Sequence, residues 1–95
     1  MPAFLIARVE VTEPGAYEKY KQLAASAIEK HGGRYLARGG RTLTLEGEEE
    51  SRRVVIVEFE SLKRAEEFYH SSEYREAMAA RRGAAVGQFV VVEGL

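Results

Sequence analysis

Two sets of side chains in this sequence could do chemistry. The first is Arg8, Arg38 and Glu58, charged residues set into apolar runs, with Glu58 following Val54, Val55, Ile56 and Val57. A carboxyl group held in such surroundings is desolvated, its pKa rises, and it can act as a base. Arg8 or Arg38 beside it would bind a ligand carboxylate or enolate, which makes Glu58 the candidate catalytic residue of a polar cavity. The same residue types also serve as intersubunit ion pairs that fix a dimer's register, and both readings stand. The second set is Tyr17, Tyr69 and Tyr74, on helical stripes with Tyr20 and Phe68. Aromatic residues at this spacing pack cores, yet buried hydroxyls need partners. A pocket between helices and sheet, lined by Tyr17, Tyr69 and Tyr74, is therefore the second location expected for a ligand.

Other motifs carry less. His70-Ser71-Ser72 suggests a nucleophile, but residues adjacent in sequence seldom have triad geometry and no Asp exists to orient the imidazole; helix capping explains the serines. His31 suits the carbonyl end of a helix. The two His stand far apart, so no metal site is expected, although a haem, which needs one axial His, stays open. The Gly pairs match neither a P-loop nor a dinucleotide fingerprint. Arg41, Arg52 and Arg53 flank Glu48-Glu49-Glu50, which reads as mutual neutralisation at a solvated hairpin.

Composition narrows the classes further. The 95 residues make one domain, 1-95, with 14 basic and 15 acidic residues and a net charge of -1, which removes the electrostatic case for nucleic acid or an anionic membrane. No run approaches a spanning helix and the N-terminus lacks a secretion signal, so a cytoplasmic protein is expected. Without Cys there is no disulfide or thiolate chemistry, and without Asp or Asn the usual calcium loop and Asp-dependent phosphoryl-transfer motifs are missing. Few amides and an Arg/Glu-rich surface suit a heat-tolerant source.

The elements that must position these residues follow from periodicity. Residues 4–11, 34–38, 53–60 and 86–93 read as strands, with Gly39-Gly40 as a bulge and 42–46 resuming extended structure. Pro14 opens a first helix that His31-Gly32-Gly33 closes; Ser61 and Ser71 or Ser72 cap two further helical segments that Gly83 ends. The order βαββαβ predicts an α+β, ferredoxin-like domain: a four-stranded antiparallel sheet with helices on one face, its first and third strands central and expected to be parallel. Leu5, Ala7, Val9, Tyr35, Ala37, Val55, Val57, Phe59, Val90 and Val92 are assigned to the helix side. Phe4, Ile6, Leu36, Val54, Ile56, Phe89 and Val91 are assigned to the other face, with Arg8, Glu10, Arg34, Arg38, Glu58, Glu60 and Glu93. No helix remains to cover it, so a homodimer pairing two sheets is expected. The break between the second and third helices could serve as a lid.

Gly32-Gly33-Arg34-Tyr35-Leu36-Ala37-Arg38-Gly39-Gly40, Leu45-Glu46-Gly47, Arg53 to Phe59, Phe68-Tyr69-His70-Ser71-Ser72-Glu73-Tyr74 and Val92-Glu93-Gly94 together resemble the bacterial domain-of-unknown-function 1330 family across essentially the whole chain. The resemblance implies a dimeric α/β-barrel fold and no assigned chemistry. The wider superfamily holds cofactor-free monooxygenases, muconolactone-isomerase-like enzymes and haem-binding proteins, and only fold analogy connects them to this chain. Glu13 before Pro14 departs from the Asp more usual in the family. The resulting expectation is a small dimer that binds, or transforms in a monooxygenase- or isomerase-like way, a small organic molecule in an internal pocket without metal, nucleotide or other cofactor. The alternative is a non-catalytic binding or stress-response module acting through its dimer surface.

Overall fold

A computed structural model describes all 95 residues. Strand β1 (Ala3–Val11) leads to helix α1 (Pro14–Lys30), the hairpin strands β2 (Arg34–Arg38) and β3 (Arg53–Phe59), helices α2 (Leu62–Tyr69) and α3 (Ser72–Arg81), and strand β4 (Ala85–Glu93). The local signals behave as their chemistry requires. Pro14 sits in the first turn of α1, Gly32 takes φ +77 just past its end, and the Ser61 and Ser71 hydroxyls accept from the backbone N–H of Arg64 and Tyr74. Glu13, by contrast, makes no capping bond through its side chain.

The sheet order is β2-β3-β1-β4 and every neighbouring pair is antiparallel. Strands β1 and β3 are central as expected but not parallel to each other. The crossover through α1 sets β2 along β1, and the hairpin then reverses β3. The core lies between the sheet and the helices: Leu5, Ala7, Val9, Val57 and Phe59 from the sheet meet Tyr17, Tyr20, Ala24, Ile28, Phe68 and Tyr74. Rings of Phe59, Phe68, Tyr74 and Tyr20 follow one another at centroid spacings of 5.1, 4.6 and 6.2 Å, favourable geometry for aromatic pairs.

Two registers differ from the sequence-based assignment. In β4, Phe89 lies opposite Ala7 and Val91 opposite Leu5, so these two face the helices, while Val90 and Val92 face away and are about half exposed. Four successive apolar residues, Phe89 to Val92, carry no alternation from which a face could be read. In β2, a bulge falls between Tyr35 and Ala37 rather than at Gly39-Gly40. The extra residue reverses the alternation, and Arg38 arrives opposite Val55 on the helix side. Residues 42–46 join no ladder. The domain measures 32 × 31 × 16 Å. That thickness admits two layers only, and the face bearing Ile6, Ile56, Val90 and Val92 has no cover within the chain.

Candidate ligand cavity

The side chains singled out from sequence separate into two places. Glu58 lies on the uncovered sheet face, where it pairs with Arg34 at 2.5 Å. Arg8, on the same face, pairs instead with Glu50 at 3.2 Å. With β1 and β3 antiparallel, Phe4 and not Arg8 stands opposite Glu58, which explains the different partner. Arg38 is not on that face at all. The expected polar cavity of Arg8, Arg38 and Glu58 is therefore not assembled within the protomer.

Arg38 lines a cavity of about 40 Å³ between helices and sheet, with Tyr17, Tyr20, Tyr35, Tyr74, Lys21 and Arg53 among apolar residues from β1, β3 and α1. Of the three tyrosines proposed to line such a pocket, Tyr17 and Tyr74 do. Tyr69 stacks outside Tyr74 at 5.5 Å and lines a separate groove of about 470 Å³ between α2 and β4, with Leu62, Glu66, His70, Phe89 and Val91. Leu5, Phe68 and Phe89 border both spaces and form the partition between them.

Arg53 was assigned to the acidic hairpin, and Arg52 does answer Glu50 there, at 2.8 Å. Arg53 instead shares the parity of Val55, Val57 and Phe59, pairs opposite Val9, and points to the helix side. That parity was the available signal. Its Nε is fully buried and has no hydrogen-bond partner. Gly39, at φ +70, closes over the guanidinium so tightly that a Cβ there would collide with it, and the Gly39 N–H donates to Val54 O at 2.9 Å. Arg38 stacks its guanidinium over the Tyr35 ring at 4.4 Å. None of Arg38, Arg53 and Arg81 has a carboxylate within ion-pair distance.

The phenols are held neutral. Burial raises the pKa of Tyr17 and Tyr35, against the opposing charges of Arg53 and Arg81 at Tyr17 and of Arg38 and Arg53 at Tyr35. Tyr20 is raised furthest, by burial and then by Tyr74, whose hydroxyl it meets at 2.8 Å. Burial also raises Tyr74, although Tyr20 and the nearby Arg81 oppose it; Arg81 Nη1 donates to the Tyr74 hydroxyl at 3.3 Å. The cavity thus offers cations and neutral hydroxyl donors, with no carboxylate or imidazole in its lining. No three His or Glu side chains lie together to hold a metal ion, and no helix is long and apolar enough to cross a membrane.

A family model described as a domain of unknown function, DUF1330, matches residues 2–95. No curated protein matches the chain. Among solved structures, a protein of unknown function from Rhodopseudomonas palustris superposes with a TM-score of 0.80 at 23% identity, covering 99% of this chain and 82% of that one. SnoaB, a cofactor-independent oxygenase from Streptomyces nogalater, gives 0.71 at 14% identity over 99% and 93%. A dimeric protein of unknown function with a ferredoxin-like fold from Bacteroides fragilis gives 0.69 at 13% over 98% and 96%. At these identities the likeness extends to the fold and no further.

Proposed function

We propose that this chain, which belongs to the DUF1330 family, is the protomer of a homodimer that binds the head group of a small organic anion in the helix–sheet cavity, with Arg53 and Arg38 as its cationic partners and Tyr17 as a neutral donor. One observation carries the reading: Arg53 Nε is buried and unpartnered beside a cavity whose lining holds cations and no acid. A buried donor of a charged group without an acceptor is costly, and an anionic ligand is the occupant that removes the cost. About 40 Å³ accommodates a water-sized group, so only a carboxylate or enolate oxygen enters fully and the ligand's body stays at the mouth, beside Lys21 and Arg38. Such a site stabilises an enolate relative to its neutral parent, but the lining supplies no base. Glu58, across the sheet with Arg34, belongs to the subunit face in this reading, which accordingly stops at binding.

The dimer reading rests on the uncovered face and is supported by the fold it shares with the dimeric Bacteroides fragilis protein. Ile6, Ile56, Val90 and Val92 would meet their copies. Light scattering at micromolar concentration should report a dimer, and Ile56→Arg a monomer or aggregate; a monodisperse wild-type monomer overturns this part. For the cavity, benzoate is the probe. Amide resonances of Tyr17, Tyr35 and Arg53 should move on titration with benzoate but not with benzamide, and Arg53→Met should weaken the effect about tenfold or more. Equal binding of the amide, or an undiminished response in Arg53→Met, defeats the reading.

A further inference from the structure

Three phenols, Tyr17, Tyr20 and Tyr74, line the helix–sheet cavity, and the guanidinium groups beside them decide where their protons go. They are 4%, 7% and 2% exposed, so their hydroxyls have little access to water. Arg81 is the last residue of α3. Its guanidinium lies 4.5 Å over the Phe89 ring and 5.4 Å over the Tyr20 ring, and from that clamp Nη1 donates to the Tyr74 hydroxyl at 3.3 Å. Arg53 likewise donates to the Tyr17 oxygen. A guanidinium has donors only, so each phenol it reaches must turn its own proton elsewhere.

The Tyr74 and Tyr20 hydroxyls meet at 2.8 Å and share one hydrogen bond between two protons. Donation from Arg81 polarises Tyr74 and makes it the better donor of the two. The chain then runs from Arg81 to Tyr74 to Tyr20, and the Tyr20 proton is left over. No carbonyl accepts from it or from Tyr17, and the cavity lining holds neither carboxylate nor imidazole. With Arg53 Nε, three donors without an acceptor belong to one space of about 40 Å³, room for a single oxygen.

We infer that the cavity selects an ionised oxygen carried on an sp² carbon, the oxyanion of an enol or phenol, with Tyr20 as its third donor and Arg81 as the residue that positions Tyr20 through Tyr74. The inference rests on the anion-binding reading above and narrows its ligand class. A carboxylate oxygen offers two lone pairs. An enolate or phenolate oxygen, bonded to one carbon, offers three, one for each donor. A hydroxyl or a water brings hydrogens that meet only further donors. Each buried donor left without an acceptor costs free energy, so a carboxylate leaves one cost standing that an enolate or phenolate removes. Hydrogen bonds to an ionised acceptor are also the strong ones.

The probes are 4-nitrophenolate, the enolate of dimedone and benzoate, titrated calorimetrically at a pH where all three are ionised. At least one of the first two should bind about tenfold or more tightly than benzoate, and which of them does so tells an aromatic ligand from an aliphatic one. Tyr20→Phe keeps the ring and should cut that ratio severalfold or more. Arg81→Met, outside the cavity lining, should cut it severalfold, and it carries the test alone if Tyr20→Phe does not fold. Loosened packing would lower all the affinities together and leave the ratio unchanged. Benzoate binding that depends on Arg53, with no preference for either other oxyanion, overturns this inference and leaves the anion site standing. A preference that survives either variant overturns it as well. No binding of any probe overturns both readings.

Discussion

Replacing Arg53 by Met removes the cavity cation whose Nε is buried while keeping an unbranched stem of similar length, so the change isolates the guanidinium. In the free protein that guanidinium carries a fully buried Nε with no acceptor, and leaving such a donor unsatisfied costs about 1–3 kcal/mol. Nothing offsets this through an ion pair, because no carboxylate reaches Arg53. Its charge and a hydrogen bond to the Tyr17 oxygen favour the Tyr17 phenolate, but burial keeps that phenol protonated near neutrality, and the bond does not reach the orphaned Nε. Arg53→Met should therefore stabilise the chain by about 1 kcal/mol or more, which for a domain of this size raises Tm by about 4–8 °C per kcal/mol. The assay is thermal unfolding at pH 7 with protein concentration held fixed, since a dimer's Tm depends on it. The same preparation should lose its benzoate response: greater stability with less binding is the mark of a residue kept for a ligand. A Tm that falls or stays put would refute the reasoning, showing that the 40 Å³ space already holds a water bonded to Nε and that the donor was never orphaned.

Three other outcomes follow from the geometry. Glu58→Gln should change stability by less than about 1 kcal/mol, as expected for a pair whose Arg34 is largely exposed, and should leave the benzoate response intact; loss of that response would return Glu58 to the site. Hydrogen bonds from Lys30 and then His31 hold the Glu73 carboxyl down to about 2, below its ordinary value of about 4.3. This tie between α1 and α3 is fully present above about pH 4.3 and is lost as pH falls toward 2, so the urea midpoint should drop across that window in the wild type and less steeply in Glu73→Gln; parallel curves would refute the assignment. Gly33→Ala would place a Cβ 2.7 Å from Ile28 Cγ2 and 2.8 Å from Phe59 Cε1, both in the packed core, and should cost about 1–3 kcal/mol in denaturant unfolding; a neutral result would mean that the α1–β3 contact has room to spare.

What the sequence made legible is what short-range physics determines. The helix starts at Pro14, Ser61 and Ser71, the stops at Gly32 and Gly83, and the alternation of β1 and β3 needed no tertiary information, and the element order then restricted the fold to one architecture. The misplacements share a different origin. Each concerns a face or a partner chosen by long-range register: β4, whose apolar run can lie either way; β1 with β3, whose relative direction depends on tracing the crossover through the hairpin; and Glu58, whose cation turned out to be Arg34 once that direction was set.

The β2 bulge shows why the candidate site was harder to see than the fold. Tyr35 and Ala37 look like one face of a strand, so Arg38 reads as a neighbour of Arg34, and nothing in Leu36-Ala37-Arg38 marks the extra residue. Only the pairing with β3 does, where Arg34 meets Glu58 and Arg38 meets Val55. That single insertion carries Arg38 through the sheet to the side where Arg53 already points, and Gly39 then folds back over the Arg53 guanidinium. Two cations reach one cavity because one strand is a residue longer than the other needs, and bulges are known to re-aim side chains in this way beside functional sites. An arrangement that sets two guanidinium groups with no carboxylate against a buried space, one of them with an orphaned Nε, runs against the stability of the isolated chain; a ligand that restores the missing acceptor gives it a physical reason to exist.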